Sequence, residues 1–135
     1  MKFTRTGAGP PLVLVHGLGN SAQAWNPVVP GLAAERELIL VTLPGHDGDP
    51  VSPELGTFAG LMRNFEAFIA AEGLADVPLV GSSLGGRMVL EMARRGHRGA
   101  VVALDPGGFW QGWERTFLRT SLQAMLALVR VLGQR

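Results

Sequence analysis

The sequence has no cysteine, which excludes a disulfide framework and a thiolate metal site. It also lacks an apolar run of about 18 residues, so we expect no membrane span. No signal-length apolar stretch follows the charged segment Met1–Arg5, and we therefore expect a cytoplasmic protein. A strong charge excess is absent too: the formal net charge is +1, which gives no electrostatic case for nucleic acid as a partner.

Lysine is nearly absent: the sequence has one lysine, Lys2, and eleven arginines. Together with the abundant alanine and glycine, we interpret this bias as a coding preference of a high-GC genome and assign it no function. The length of 135 residues suits one domain with a buried core. The hydrophobic content of 47% is typical of an all-parallel sheet that is covered on both faces.

Apolar runs alternate with helical patterns along the chain, and this alternation predicts an α/β fold with crossover helices. Met1–Thr6 is predicted to be a short edge strand. Ser21 and Thr57 are predicted helix caps, and Gly73 and Gly96 are predicted helix stops. The remaining predicted strands and the long final amphipathic helix are Leu12–Val15, Leu38–Thr42, Val77–Val80, Ala100–Leu104 and Trp113–Leu132.

The segment Gly81-Ser82-Ser83-Leu84-Gly85 organises the rest of the chain. A serine between two glycines, after a strand and before a helix, indicates a nucleophile elbow. The turn is sharp, and side chains at the two glycine positions would collide with neighbouring backbone. The first amides of the helix can stabilise an anion beside the serine. The alternative is a glycine-rich turn in which the serine has no catalytic role. The predicted strand before the segment and the predicted helix after it disfavour this alternative.

Polar or turn-forming residues follow the predicted strand ends, at His16, Pro44, Ser83 and Asp105. The carboxyl ends of parallel strands meet at one edge of a sheet, and sites of α/β proteins lie there. The sequence therefore predicts that these four positions share one edge.

Several stretches together resemble the α/β-hydrolase family, specifically its esterase- and lactonase-like serine hydrolases. They are Pro11-Leu12-Val13-Leu14-Val15-His16-Gly17-Leu18-Gly19, Trp25, Leu43-Pro44-Gly45-His46 and Val80-Gly81-Ser82-Ser83-Leu84-Gly85-Gly86. The resemblance implies a parallel-sheet, three-layer core in which the elbow strand lies beside the Leu12–Val15 strand. It implies Ser83 as the nucleophile and the backbone amides of Leu18 and Leu84 as the oxyanion hole. No cofactor and no metal are expected.

The three histidines have other expected roles. By resemblance His16 is a structural residue beside the site, and His46 is treated in the same way. His97 follows the far end of the elbow helix and is expected to be solvated. Asp105 follows the strand after the nucleophile, where a minority of relatives keep the catalytic acid and most open a cap; both alternatives stay open.

The chain also departs from the family pattern. The aspartate that usually leads the loop after the third strand is absent, and Ser82 stands where many members have histidine. Full family members continue with a cap and further strands that carry the acid and the catalytic histidine. We therefore expect residues 1–111 to be a partial hydrolase core, truncated after the strand that follows the elbow, and residues 112–135 to begin a helical cap.

Three functions remain open at this point. The first is a serine hydrolase that forms an acyl-enzyme at Ser83 from a small ester, lactone or related carbonyl substrate. The second is a non-catalytic, truncated module that binds a partner or a complementing segment. The third is a cofactor-free haloperoxidase or an acyltransferase. The apolar stripe of the last helix also predicts self-association, unless that helix folds back over the sheet.

Overall fold

A computed structural model describes residues 1–48 and 52–132. Its centre is a five-stranded sheet with the strand order β1-β3-β2-β4-β5, in which every neighbouring pair is parallel except β1 and β3. The strands are β1 (Lys2–Thr6), β2 (Pro11–Val15), β3 (Glu37–Thr42), β4 (Leu79–Ser82) and β5 (Val101–Leu104). The elbow strand β4 lies beside β2, as predicted.

The four central and distal strands β2 to β5 are parallel to one another, as predicted, and the edge strand β1 makes the sheet mixed. β1 runs antiparallel to β3, with Lys2 opposite Thr42 and Thr6 opposite Leu38. The physical reason is the connection to β2, because parallel strands need a crossover of a dozen or more residues. Only residues 7–10 separate β1 from β2.

The elbow strand also begins two residues later than the sequence predicts. The amide of Val77 donates to the carbonyl of Leu74, so Val77 belongs to the preceding turn. Pairing with β5 then continues to Ser82, which lies opposite Leu104. The strand therefore ends directly at the nucleophile candidate Ser83.

Helices cover both faces of the sheet. One face packs against α2 (Phe58–Ala71) and α3 (Leu84–Arg94), and the other against α1 (Val29–Leu32) and a 3-10 helix over Ala22–Trp25. The alternation of side chains along a strand separates the two cores. The sheet residues of the first core are Val13, Val15, Ile39, Val41 and Leu79; those of the second are Leu14, Leu38 and Leu40.

The predicted helix signals are confirmed. The Thr57 hydroxyl accepts the Gly60 amide at 3.0 Å and caps α2. The Ser21 hydroxyl accepts the Gln23 amide at the start of the 3-10 helix. Gly73 and Gly96 have φ angles of +67° and +93° just after α2 and α3, where a left-handed residue ends a helix.

The second face is open near β5. Val102 and Leu104 point to the same side as Leu14, yet they are 49% and 45% exposed. After β5 comes α4 (Trp113–Leu132), whose residues Trp113 and Phe117 are also largely exposed. The side chains of Leu126, Val129 and Leu132, which belong to the same predicted stripe, lie outside the described part of the molecule. Among the described helices, none combines the length and apolar character that crossing a bilayer requires.

Candidate functional site

Ser83 stands at the sharp turn between β4 and α3. Its φ of +52° and ψ of −112° fall outside the allowed regions for an L-residue, which is the strain expected of a nucleophile elbow. The Ser83 amide donates to the carbonyl of Leu104 at 2.9 Å, and the Ser83 carbonyl accepts from Gly107 at 3.3 Å. The backbone of Ser83 is therefore held by β5 and by the loop that follows it, while its side chain remains exposed.

The glycines around Ser83 are required by close backbone contacts. A Cβ added to Gly81 would overlap the carbonyl of Gly85. A Cβ added to Gly85 would overlap the carbonyl of Val15, and it would come within 2.7 Å of the carbonyl oxygen of His16. The start of α3 thus lies directly against the end of β2, and the collision predicted for side chains at the two glycine positions is confirmed.

The turn after β2 comes equally close to the serine. A Cβ on Gly17 would lie 3.0 Å from the Ser83 Cβ and 3.6 Å from its Oγ. Gly17, Leu18 and Ser83 line one pocket of about 190 Å³. Leu18, Ser83 and Leu84 line a second one of about 130 Å³. The structure thus brings together the three residues that the resemblance selects, and their catalytic roles stay predictions.

His16 is fully buried and uses both of its ring nitrogens. Its Nδ1–H donates to the carbonyl of Gly17 at 2.7 Å, and its Nε2 accepts the amide of Leu43 at 3.0 Å. Burial lowers the pKa of His16, the Gly17 hydrogen bond partly opposes this, and nearby His46 lowers it further. A neutral ring with both nitrogens occupied supports the structural role expected for His16.

His46 is also bonded through both nitrogens. Its Nε2 accepts the amide of Gly19 at 3.0 Å, and its Nδ1–H donates to the carbonyl of Pro44 at 3.1 Å. His97, in contrast, lies at the opposite end of the sheet. The expectation that it is solvated is wrong: it is half-buried, and its Nε2–H donates to the carbonyl of Val77 at 2.9 Å, just before β4. None of the three is placed as a base for Ser83.

Asp105 directly follows β5 and has a φ of +46°. Its side chain is exposed. The predicted choice between a catalytic acid and the opening of a cap therefore stays open.

A group of arginines near the serine was not predicted from the sequence. Arg87 lines the Ser83 pocket, together with Gly108 and Trp110. The same three residues also line a larger cavity of about 520 Å³ that contains Arg115 and Arg119. Within residues 1–48 and 52–132, none of the three arginines forms an ion pair.

Arg87 is held in a defined place. Its guanidinium carbon lies 4.1 Å from the centre of the Phe58 ring, which is a cation–π distance. The sequence carried a signal for it, because Arg87 follows Ser83 by four residues and helical neighbours at that spacing share a face. Because the many arginines were attributed to the coding preference of a high-GC genome, the position of Arg87 relative to Ser83 was given no function.

Comparisons with known proteins agree with this geometry. A family model described as "Alpha/beta hydrolase family" matches residues 12–134. The chain therefore belongs to the alpha/beta hydrolase family. Among curated proteins, it is 40% identical over 129 residues to 2-succinyl-6-hydroxy-2,4-cyclohexadiene-1-carboxylate synthases of Yersinia pestis and Yersinia pseudotuberculosis. The match covers 95% of this chain and 45% of those proteins, so the chain spans less than half of their length.

Solved structures show the same fold. A marine microorganism esterase aligns with a TM-score of 0.75 over 94% of this chain and 49% of its own, at 22% identity. An alpha/beta hydrolase fold protein of Burkholderia ambifaria aligns with a TM-score of 0.72, at 24% identity, over 82% of this chain and 42% of its own. At these identities the likeness establishes the fold alone.

Proposed function

We propose that this chain forms the nucleophile side of an enzyme active site in which Ser83 is the reactive group and the amides of Leu18 and Leu84 are the oxyanion hole. The strained φ of Ser83 and the approach of Gly17 to its Oγ support this assignment. Two preorganised amide donors stabilise a developing oxyanion, and losing one costs about 3–4 kcal/mol of barrier. Such donors serve acyl transfer and enolate formation alike, because both place negative charge on a carbonyl oxygen.

For the substrate, we propose a small carbonyl compound that carries carboxylates. The observation that supports it is that the Ser83 pocket shares Arg87, Gly108 and Trp110 with the cavity that Arg115 and Arg119 line. Arginine binds carboxylates through paired hydrogen bonds, and these three have no carboxylate partner among the described residues. The compound named for the Yersinia relatives has a ring carboxylate and a succinyl group, which adds a ketone and a second carboxylate.

The relatives' synthase reaction is therefore the first candidate activity, and hydrolysis of an ester or lactone through an acyl-enzyme is the second. In the second case, the Ser83 oxygen would bond to the carbonyl carbon, the alcohol would leave with a proton, and water would then release the acid. The shared fold of a marine esterase keeps this candidate open.

We also propose that α4 begins a helical cap, with residues 1–111 as the core. The cytoplasmic location remains a prediction, as do the non-catalytic module and the haloperoxidase or acyltransferase alternatives.

The test compares two classes of substrate. The chain, alone and with the part of a Yersinia synthase that it does not cover, is incubated with the Yersinia enzyme's substrate and with p-nitrophenyl esters of varied length. We expect turnover of the carboxylate-bearing substrate in the combined sample, and none after Ser83→Ala. Turnover of neutral esters alone would favour the hydrolase, and no Ser83-dependent turnover in any sample would contradict the proposal.

Arginine variants test the anion site separately. Arg87→Gln should raise the KM for the carboxylate-bearing substrate about tenfold or more, because a charged hydrogen bond contributes about 1.5–3 kcal/mol. Arg36→Gln is the matched control: Arg36 is exposed just before β3, at the amino end of the strand, and is absent from both cavities. Equal effects of the two variants would contradict a specific role for Arg87.

The chain alone provides a further test of Ser83. A serine hydroxyl is a weak nucleophile without an adjacent base, and removing the base cost subtilisin about a million-fold. Because His16, His46 and His97 are engaged elsewhere, we expect no labelling of the chain by a fluorophosphonate probe. Ready labelling at Ser83 would show that one of these histidines reaches it.

A further inference from the structure

The turn Gly17–Gly19 lacks support from the hydrophobic core. Leu18 at its tip is 69% exposed, so side-chain packing does not fix its position. Gly19 has a φ of +72°, and no atom lies within 4 Å of where its Cβ would be. The turn itself contains one long hydrogen bond, from the amide of Asn20 to the carbonyl of Gly17 at 3.3 Å. A turn this open needs polar contacts from outside to keep one conformation.

His46 supplies such contacts from the loop after β3. Its Nε2 accepts the Gly19 amide, and its Nδ1–H donates to the Pro44 carbonyl. The ring therefore bridges two loops that are 27 residues apart in sequence. Because a carbonyl can only accept, Nδ1 carries the proton and Nε2 is left free to accept from Gly19.

His16 anchors the other end of the bridge. Its buried ring joins the Gly17 carbonyl to the Leu43 amide, one residue before Pro44. The His16 and His46 rings meet edge to face, with their centroids 5.0 Å apart. The two rings thus tie Gly17 and Gly19 to Leu43 and Pro44, and Leu18 lies between the tied residues.

We propose that His46 is a positioning residue that fixes the direction of the Leu18 amide by holding Gly19. The proposal rests on the oxyanion role proposed above for that amide. Donors in an oxyanion hole must lie within about 0.5 Å of their productive places, so a turn that is free to rotate loses most of their effect. His46 is half-exposed, unlike the fully buried His16, and it belongs to neither hydrophobic core, so we expect its replacement to leave both cores intact.

The first test does not depend on activity. Amide hydrogen exchange is measured by NMR on the 135-residue chain for wild type, His46→Ala, His46→Gln and His97→Ala. We expect the Gly19 amide to exchange about five- to tenfold faster in His46→Ala, since its hydrogen bond to the ring, of ordinary strength, is lost. His46→Gln offers an amide oxygen and an amide N–H in place of the two ring nitrogens and should restore part of the protection.

His97→Ala is the matched control. It also removes a ring whose nitrogen bonds a backbone carbonyl, but that ring lies at the amino end of β4. This variant should leave the exchange rate of the Gly19 amide unchanged. Unchanged exchange of Gly19 in His46→Ala, or an equal rise in His97→Ala, would overturn the proposal.

The second test uses the combined sample described above. Loss of a donor that acts only in the transition state lowers kcat with little change in KM. We expect kcat to fall at least tenfold in His46→Ala and to recover partly in His46→Gln. Unchanged kcat in His46→Ala would overturn the catalytic part of the inference. Absence of Ser83-dependent turnover in wild type would instead overturn the proposed function, and amide exchange would then decide the positioning by itself.

Discussion

Replacing Gly85 with alanine tests the contact between α3 and β2 that presents Ser83. The added Cβ would overlap the Val15 carbonyl and crowd that of His16. Both carbonyls belong to the backbone at a buried strand end and cannot move away. We therefore expect the overpacking to lower the free energy of unfolding by about 3 kcal/mol, the upper end of the range for such substitutions. Alanine regains about 1 kcal/mol as the better helix former, which leaves a net loss of about 2 kcal/mol.

For a domain of this length, each kcal/mol shifts Tm by about 4 °C, so we expect a fall of about 8 °C in thermal unfolding followed by circular dichroism. Gly31→Ala is the matched control. Gly31 also lies in a helix, but nothing lies within 4 Å of its Cβ position. It should raise the free energy of unfolding by no more than about 1 kcal/mol. A Gly85→Ala variant as stable as Gly31→Ala would refute the close approach.

Three further predictions concern stability and association. Because burial lowers the pKa of His16 below its ordinary value of 6.5, the unfolded chain takes up the proton first. The free energy of unfolding should therefore fall as pH drops below about 6.5 and level off once folded His16 titrates. Urea unfolding at several pH values measures this, and the free energy of His16→Gln should depend less on pH than that of wild type. Thr57→Ala should lose about 1 kcal/mol in the same assay while Thr57→Ser keeps the cap, and equal losses would contradict the capping bond. Exposed Trp113 and Phe117 should cause self-association in sedimentation velocity, which a clean monomer at micromolar concentration would contradict.

Most of the fold could be predicted because local signals and tertiary structure agree. Thr57 and Gly73 bound α2, and continuous apolar runs mark the three central strands. The direction of β1 was not visible in its own residues, since it follows from the short connection to β2. Periodicity reports burial, whereas strand direction depends on the length of the link between elements.

The candidate site, too, could be predicted only in part. Ser83 and Leu18 could be found because glycines at fixed spacing record backbone contacts directly in the sequence. The arginine cavity could not, because Arg115 and Arg119 approach Arg87 only through the placement of α4. The contact of His46 was equally hidden, because its partner is the backbone amide of Gly19, and a backbone amide is present whatever the residue type.

The strand order also sets an order of events during synthesis. Every pairing among β1, β3 and β2 lies within residues 2–42, so this part of the sheet can form once those residues have left the ribosome. β4 then joins at the free edge of β2 and closes a loop from Val13 to Leu79, the longer and slower step. We therefore expect the strained angles of Ser83 to be imposed late, on a template that already holds the carbonyls against which Gly85 must pack. Variants that weaken the early three strands should slow folding, whereas Gly85→Ala should act on the step at which α3 docks.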